Sequence, residues 1–380
     1  MAHPGHAGPG RPAPPRPADF DQAPFLVIWE TTRSCGLSCR HCRAEAILGR
    51  DPNELTTVEG KDLLDQIAEM GTPIAVLSGG DPLNRPDLED LVLHGKSKGL
   101  RMGTIPAATS NLTRERIRAL AEAGLDQVAF SIDGPSPETH DDFRKVPGSF
   151  AKTLAGAAFA REAGIPLQIN TCFASWNLRH LEDMVKLVSS LGTAFWEVFF
   201  LIPIGRGREM EGLSAGQFEE VFARLHRLND EVPFVIKLTE AQHYRRYVIL
   251  KETAGHNGNA GERIRHILAR PRGAGGGIGL SPQAVNSGKG FAFVDHRGQI
   301  CPSGFLPIPA GDIRHDRLAS VYRDSPLFRE LRDPRKLKGK CGACEFAWVC
   351  GGSRARAYAV TGDPLESDPF CAYVPRGCQQ

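Results

Sequence analysis

Segments typical of β-strands and of α-helices alternate along the chain from Phe25 to about Lys237. The strand-like segments are apolar throughout or alternate in polarity, and they are FLVIWE (25–30), IAVLS (74–78), RMGTI (101–105), DQVAFSI (126–132), PLQINT (166–171) and FWEVFFLI (195–202). Near-continuous apolar strands are typical of a parallel sheet that is covered on both faces. The pattern therefore predicts an α/β fold built from six strand–helix units.

The helical segments between these strands have recognisable ends. Capping boxes at Thr56 to Glu59 and at Ser214 to Gln217 mark two helix starts. Helix stops are expected at Gly71, Gly99, Gly124, Gly164 and Gly192. Strand–helix repetition of this length forms either an open doubly wound sheet or a barrel, and in both the functional residues gather at the C-terminal ends of the strands.

Three cysteines follow the first strand in the loop SCGLSCRHCRA. Cys35, Cys39 and Cys42 are spaced C-x3-C-x2-C, and the next cysteine is Cys172. A structural zinc site uses four protein ligands, whereas three thiolates leave one position open on a zinc ion or on one iron of a four-iron cluster. Three interpretations stand at this point: unrelated cysteines, a zinc site completed by His41 or a distant residue, and an iron–sulfur cluster.

Composition narrows the class of protein. The net charge of +2 gives no general signal for nucleic acid, and no apolar run approaches the ~20 residues that span a bilayer. The opening residues carry prolines and glycines where an export signal would be apolar. We therefore expect a cytoplasmic protein, in whose reducing environment ten cysteines hold metal more often than they form disulfides.

Four regions are predicted from these features. Residues 1–23 form a disordered tail rich in proline and glycine, and residues 24–237 form the α/β domain. Residues 238–290 form a glycine-rich insertion or lid, and residues 291–380 form a small module with most of the remaining cysteines. The segment GFAFVDHRGQICPSGF at the start of that module predicts a β-hairpin.

The cysteine motif, the strand before it and the GGDP sequence after the second strand resemble the radical S-adenosylmethionine (radical SAM) superfamily, and the resemblance extends from Pro24 to Cys371. It implies a partial (β/α)6 barrel similar to a TIM barrel. It also implies that the three cysteines hold a 4Fe–4S cluster whose open iron chelates SAM. Reduction of that cluster would cleave SAM and release a 5′-deoxyadenosyl radical, which abstracts hydrogen from a substrate.

The resemblance also implies contacts to SAM. The expected residues are His41, Gly79, Gly80, Asp81, Ser131, Asp133, Arg144 and Asn170. His41 stands where the family usually has an aromatic residue, and Asp81 is one methylene shorter than the frequent glutamate. Each polar residue could instead be a helix cap or a surface ion pair, and the glycines an ordinary turn.

A second group of cysteines lies near the C-terminus. The sequence CGACEFAWVC contains Cys341, Cys344 and Cys350, and either Cys371 or Cys378 could complete four ligands. A zinc ribbon is one interpretation. Next to a radical SAM domain the spacing resembles the SPASM or twitch extension, which implies auxiliary iron–sulfur clusters.

A full SPASM module has a further cysteine where this chain has Arg354, and Cys301 alone cannot hold a second cluster. We therefore expect one auxiliary 4Fe–4S cluster, and we expect Cys172 to be a buried core thiol.

The predicted function is that of a radical SAM oxidoreductase or maturase. The sequence identifies no catalytic residue beyond the expected ligands of the clusters and of SAM. Relatives of this type act on peptides or tetrapyrroles, with ferredoxin or flavodoxin as the reductant. The basic segment HYRRY (243–247) is either a solvated helix face or, through Arg245 and Arg246, a binding site for substrate carboxylates. The alternative function is a non-catalytic iron–sulfur or zinc-binding scaffold.

Overall fold

The computed structural model describes residues 19–253 and 284–378. Residues 1–18 of the predicted tail and residues 254–283 of the predicted insertion lie outside this described part. Within the tail, Phe20 is buried, and its carbonyl accepts a hydrogen bond of 2.7 Å from the hydroxyl of Tyr322. The described residues include no helix that is both long enough and apolar enough to cross a membrane.

Ten strands form one sheet. They are β1 (Leu26–Glu30), β2 (Ile74–Ser78), β3 (Arg101–Thr104), β4 (Gln127–Ser131), β5 (Leu167–Phe173), β6 (Phe195–Phe200), β7 (Val235–Thr239), β8 (Phe291–Val294), β9 (Gln299–Cys301) and β10 (Gly311–Asp312). Their order is β10-β9-β8-β1-β2-β3-β4-β5-β6-β7. Neighbours from β8 through β1 to β7 are parallel, and β9 and β10 are antiparallel to their neighbours.

The helices connect and cover these strands. They are α1 (Thr57–Glu69), α2 (Leu88–Ser97), α3 (Arg114–Glu122), α4 (Pro137–Arg144), α5 (Ser149–Glu162), α6 (Leu181–Ser190), α7 (Ala215–Glu231), α8 (Tyr244–Thr253), α9 (Leu318–Asp324), α10 (Pro326–Arg332), α11 (Gly339–Gly342) and α12 (Arg354–Thr361). Both predicted capping boxes are present, at the starts of α1 and α7. The apolar faces of the helices pack on the sheet, and together they form the main hydrophobic core.

The predicted α/β class and all six predicted strands are confirmed. A seventh parallel strand, β7, was not predicted, and it pairs with β6. The segment VIKLT is short and carries a lysine in its centre, so its apolar pattern is weak. Lys237 is accommodated because its amine lies 2.8 Å from Glu197 on the neighbouring strand.

The predicted C-terminal hairpin is present as β8 and β9, and β8 pairs in parallel with β1. This pairing places the hairpin beside the strand from which the cysteine loop emerges. His296, at the turn of the hairpin, lies 3.1 Å from the carboxylate of Glu30 at the end of β1. The main sheet and the C-terminal region are therefore in direct contact at the cysteine loop.

Candidate functional site

A cavity of about 210 Å³ lies at the C-terminal ends of strands β1 to β6. Its walls include ten of the residues expected there from the sequence: Cys35, Cys39, His41, Cys42, Gly79, Gly80, Ser131, Asp133, Arg144 and Asn170. Parallel strands end at a common edge, so side chains that follow different strands meet there although they are far apart in the chain. In register, Ser131 on β4 lies directly beside Asn170 on β5.

The cysteine loop is fixed to the end of β2 by backbone contacts. The amide of Gly80 donates to the carbonyl of Thr32 at 2.6 Å, and the amide of Asp81 donates to the carbonyl of Ser34 at 2.7 Å. A Cβ atom on Gly80 would lie 2.5 Å from the carbonyl oxygen of Ser34, and one on Gly79 would lie 2.7 Å from that of Thr32. The two glycines thus let the loop approach the strand, which is a structural reason for them in addition to the expected approach of a ligand.

The three loop thiols are free and differ in exposure. Cys35 and Cys39 are buried, and Cys42 is partly exposed. The amide of Leu37 donates to Cys35 Sγ at 3.4 Å, and Arg144 Nη1 donates to Cys39 Sγ at the same distance. Donors directed at sulfur stabilise the thiolate form, which is the form that binds metal.

Burial acts against the thiolates when no cation is bound. It raises the pKa of Cys35 to about 12 and raises the pKa of Cys39 despite the nearby guanidinium of Arg144. Metal binding deprotonates such thiols and supplies the missing positive charge. Within the described part of the chain, no three His, Cys, Asp or Glu side chains are arranged around a single ion. In a cubane each thiolate binds a different iron, so the donor set of three thiols around a cavity fits the cluster implied by the resemblance.

A buried ion pair stands behind the second thiol. Arg144 Nη2 donates to Asp133 Oδ2, and the amide of Cys172 donates to Asp133 Oδ1 at 2.8 Å. Burial alone would raise the pKa of Asp133, but Arg144 holds it below its ordinary value. Arg144 Nε is buried without a hydrogen-bond partner among the described residues. The guanidinium therefore connects a carboxylate to Cys39 and keeps one donor available at the cavity.

His41 belongs to a stack of rings beside the cavity. Its imidazole lies 4.6 Å from the ring of Phe143, which lies 4.6 Å from the ring of Trp176. Burial lowers the pKa of His41 to about 4, so the ring is neutral at physiological pH. His41 thus provides a flat, neutral ring where the family usually has an aromatic residue.

Asp81 differs from the other expected residues because its side chain does not line the cavity. It is fully buried, and it accepts hydrogen bonds from the amides of Leu83 (3.1 Å) and Ala107 (3.2 Å) and from the hydroxyl of Thr109 (2.6 Å). These partners join the segment after β2 to the segment after β3. The arrangement makes Asp81 a positioning residue for the cavity wall.

Two arginines of the cavity wall were not identified from the sequence: Arg43, which follows the third cysteine directly, and Arg206, in the short helix Gly205–Glu209 after β6. The prediction that Cys172 is a buried core thiol is wrong, because Cys172 is partly exposed and lines the cavity. The position of Arg206 in the loop after a parallel strand is the signal that would have found it. The same reasoning had already selected the ends of β2, β4 and β5.

The basic segment on α8 lies elsewhere. Tyr244 and Arg246 are buried, so the interpretation as a solvated helix face is wrong. Neither Arg245 nor Arg246 lines the larger cavity. Arg246 pairs instead with Glu219 and faces the second group of cysteines.

A second cavity, of about 20 Å³, lies among the C-terminal cysteines. Its walls include Cys341, Cys344, Cys350 and Cys371. Cys378 is exposed and lies outside these walls, so the structure brings Cys371 to the other three. Cys301 is also absent from these walls, because it lies on β9 beside Phe293.

Backbone amides are directed at the sulfur atoms of this second group. The amides of Phe346, Gly352 and Asp368 each donate at 3.4 Å to a cysteine, namely Cys344, Cys350 and Cys341 respectively. These contacts fit thiolates that hold an iron–sulfur cluster or a zinc ion, because both require the thiolate form.

Arg354, which replaces the cysteine of a full SPASM module, is 1% exposed. Its guanidinium donates to the carbonyls of Pro364 and Glu366 at 2.9 and 2.7 Å, and its Nη2 lies 3.7 Å from Cys341 Sγ. The side chain therefore fills this position as a structural cation and a donor to sulfur.

This chain is similar in sequence to known proteins along most of its length. The family model of the radical SAM superfamily matches residues 29–188. The AdoMet-dependent heme synthase of Methanosarcina barkeri is 40% identical over 353 residues, which cover 93% of this chain and 97% of that protein. The PqqA peptide cyclase of Bradyrhizobium diazoefficiens is 29% identical over 364 residues, which cover 93% of this chain and 87% of that protein.

Among solved structures, Streptococcus suis SuiB bound to S-adenosylmethionine superimposes with a TM-score of 0.68 at 13% identity, covering 94% of this chain and 78% of that chain. At this identity the likeness shows a shared fold.

Proposed function

Because this chain belongs to the radical SAM superfamily, we propose that it is an enzyme of the heme synthase type that removes carboxyl groups from a tetrapyrrole. The family itself implies SAM, a 4Fe–4S cluster and radical chemistry. The observation that carries the finer proposal is the 40% identity to a heme synthase along nearly the whole of both chains. Identity to a peptide cyclase is 29% over a similar span.

Cys35, Cys39 and Cys42 are proposed to hold the cluster. When bound and reduced, the cluster and SAM together supply the 5′-deoxyadenosyl radical that abstracts a hydrogen atom from the substrate. Around them, Arg144 stabilises the thiolate of Cys39 and keeps Nε available for a carboxylate of SAM.

The remaining wall residues are proposed to orient SAM and exclude water. Ser131 and the side-chain amide of Asn170 offer polar groups at adjacent positions in the register. Asn170 Oδ1 already accepts a hydrogen bond of 2.6 Å from Gln168, so its N–H2 group is the one that can donate to a ligand. Gly79, Gly80 and the ring of His41 provide close-packed walls.

We also propose one auxiliary 4Fe–4S cluster, held by Cys341, Cys344, Cys350 and Cys371, which accepts or relays the electron released by the substrate radical. The shared cavity of the four thiols and the amides directed at their sulfurs support this proposal. Ferredoxin or flavodoxin is proposed as the reductant, and the cytoplasm as the location. The proposed division remains an α/β domain over residues 24–237 and a cluster module over residues 291–380.

The test uses protein purified without oxygen and supplied with SAM and dithionite. An iron tetrapyrrole with propionate side chains should yield 5′-deoxyadenosine together with a product that has lost carboxyl groups, identified by mass spectrometry. Cys42→Ala should yield neither product. If 5′-deoxyadenosine forms but a peptide substrate is converted and the tetrapyrrole is not, the tetrapyrrole assignment is wrong. If clusters are intact and no 5′-deoxyadenosine forms, the protein is a scaffold.

A further inference from the structure

Three arginine side chains, Arg43, Arg144 and Arg206, line the larger cavity, but Asp133 is the one acidic residue among the described residues of its wall. These guanidinium groups are partly buried, and an excess of them favours anions because a charge removed from water is costly without a partner. The partners of each arginine therefore indicate what the cavity binds.

Two of the three arginines have charged partners within the protein. Arg144 pairs with Asp133, as described above. Arg43 Nη1 lies 2.8 Å from the carboxylate of Glu30, and its guanidinium lies 4.6 Å from the ring centre of Phe293. The charge of each of these two arginines is therefore balanced by a carboxylate of the protein.

Arg206, in contrast to Arg43 and Arg144, forms no ion pair with any described residue. Its Nε and Nη2 are buried and have no hydrogen-bond partner among the described residues. A buried donor without a partner costs about 1–3 kcal/mol, and more when the group is charged. An acceptor supplied by a ligand would therefore be stabilised at Arg206.

The backbone of Arg206 is fixed against the cysteine loop. Its amide donates to the carbonyl of Cys42 at 3.1 Å. The preceding Gly205 has φ +51°, and a Cβ atom there would lie 2.5 Å from the carbonyl oxygen of Cys42. The loop after β6 can thus approach the third cysteine only with glycine at position 205. This contact fixes the position of the Arg206 backbone, from which the side chain extends.

The two free nitrogens identify the kind of ligand. Nε and Nη2 lie on the same edge of a guanidinium, and their parallel N–H bonds match the two oxygens of one carboxylate. The neighbouring wall is apolar, and it includes Phe199, Ile202 and Phe305. An arginine fork beside an apolar wall suits a ligand with a large apolar body and carboxylate arms.

We propose that Arg206 binds a carboxylate of the substrate side-on through Nε and Nη2 and so selects carboxylate-bearing substrates. This assignment rests on the proposed function, in which the substrate is a tetrapyrrole with acidic side chains. The methionine carboxylate of SAM is the other possible source of the same chemical group, and the experiment has a separate arm for it.

The experiment measures equilibrium binding to the cluster-loaded enzyme without reductant, so that no turnover occurs. The variants are Arg206→Gln, Arg206→Lys and the control Arg208→Gln, which changes an exposed arginine of the same short helix, Gly205–Glu209. Iron content and circular dichroism establish that each variant is folded. The ligands are SAM, an iron tetrapyrrole with free carboxylates, and its methyl ester.

Arg206→Gln should weaken binding of the free acid about tenfold or more, as expected for loss of a charged hydrogen-bonded contact. The affinity of the same variant for the ester and for SAM should stay within about twofold of the wild-type affinity. Arg206→Lys should bind the free acid with intermediate affinity, because lysine keeps the charge but lacks the two parallel N–H groups of the guanidinium. Arg208→Gln should bind every ligand as the wild type does.

Two results would overturn the assignment. If SAM binding weakens and tetrapyrrole binding does not, the carboxylate belongs to SAM. If neither changes in folded variants, Arg206 binds no carboxylate. If the wild-type enzyme cleaves SAM but binds no tetrapyrrole, the proposed function is wrong. This result is distinct from the two above, because it concerns the wild type and not the Arg206 variants.

Discussion

At the scale of single residues, two charged side chains, Arg144 and Asp133, compensate each other next to Cys39. Arg144 donates to Cys39 Sγ and to Asp133, and the carboxylate of Asp133 is 1% exposed. In such surroundings an ion pair is costly to break, because removing one charge leaves the other buried and unpaired. The same pair holds α4, which carries Arg144, against the end of β4.

Asp133→Asn should therefore destabilise the protein by about 3–5 kcal/mol, the usual cost of breaking a buried pair. Thermal unfolding followed by circular dichroism, together with iron content, measures the effect. The matched control is Asp142→Asn, which breaks the exposed pair with Arg40 and should cost about 1 kcal/mol or less. Equal effects of the two substitutions would contradict the role of burial.

His140 predicts a dependence of stability on pH. Burial lowers its pKa to about 4, and its Nδ1 accepts a hydrogen bond of 3.2 Å from the amide of Asp133, so the folded protein holds it neutral. The unfolded chain binds a proton near the ordinary pKa of about 6.5, hence the free energy of unfolding falls as pH falls below that value.

Between pH 7 and pH 5 this group should contribute a loss of about 2 kcal/mol, calculated from the two pKa values. His140→Gln keeps an acceptor but does not titrate, so its unfolding midpoint in urea should depend less on pH than that of the wild type. Parallel pH dependence in the two proteins would show that folding does not lower the pKa of His140.

At the scale of secondary-structure elements, the cysteine loop depends on the strand beside it. The loop between Thr31 and Thr56 contains no helix or strand apart from a short bridge of Ser34 to Ile47. Its position is set by backbone hydrogen bonds to the segment that follows β2, to the end of α4 and to the loop after β6. The pairing of β1 with β2 brings the first of these contacts together.

Gly80→Ala tests this dependence. The added methyl group would overlap the carbonyls of Arg33 and Ser34, so the loop must move and most of the iron at the first cysteine group should be lost. Gly49→Ala is the control within the same loop, because its Cβ would meet nothing within 4 Å. The measurements are the iron content and the visible absorbance of both variants. Retention of iron by Gly80→Ala would show that the cysteine loop does not depend on its contact with Gly80.

At the scale of the whole molecule, a buried network connects the main sheet to the C-terminal cysteines. Arg356 pairs with Asp368 at 3.0 Å and donates to the carbonyl of Glu240, which follows β7. The hydroxyl of Ser353 donates to the carboxylate of Glu240 at 2.5 Å. Asp368 also donates its amide to Cys341 Sγ, so the network extends from the sheet to a proposed cluster ligand.

The auxiliary cluster predicts a difference between two neighbouring cysteines. Cys371→Ala should lower the iron content from about eight to about four atoms per chain, because two four-iron clusters would become one. Cys378→Ala should leave it unchanged, because that thiol is exposed and lies outside the second cavity. Iron and zinc analysis of anaerobic protein is the measurement, and zinc in place of the second set of irons would contradict the cluster.

The sequence by itself determined the class of fold and the position of the first cysteine group. Apolar strands alternate with capped helices, and these local patterns decide which segments become strands and that their C-terminal ends carry the functional groups. The spacing of Cys35, Cys39 and Cys42 is likewise local, since one short loop contains all three.

Only the tertiary structure decided which side chains face the cavities. It placed Arg43 and Arg206 at the larger cavity and Arg246 at the second one, it turned Asp81 toward Thr109, and it brought Cys371 to the C-terminal cysteines. These placements depend on contacts between segments far apart in the chain, and on the direction in which each side chain leaves the backbone. Spacing along the sequence carries no information about either, because the energy of a buried charge or thiol is set by whatever packs against it.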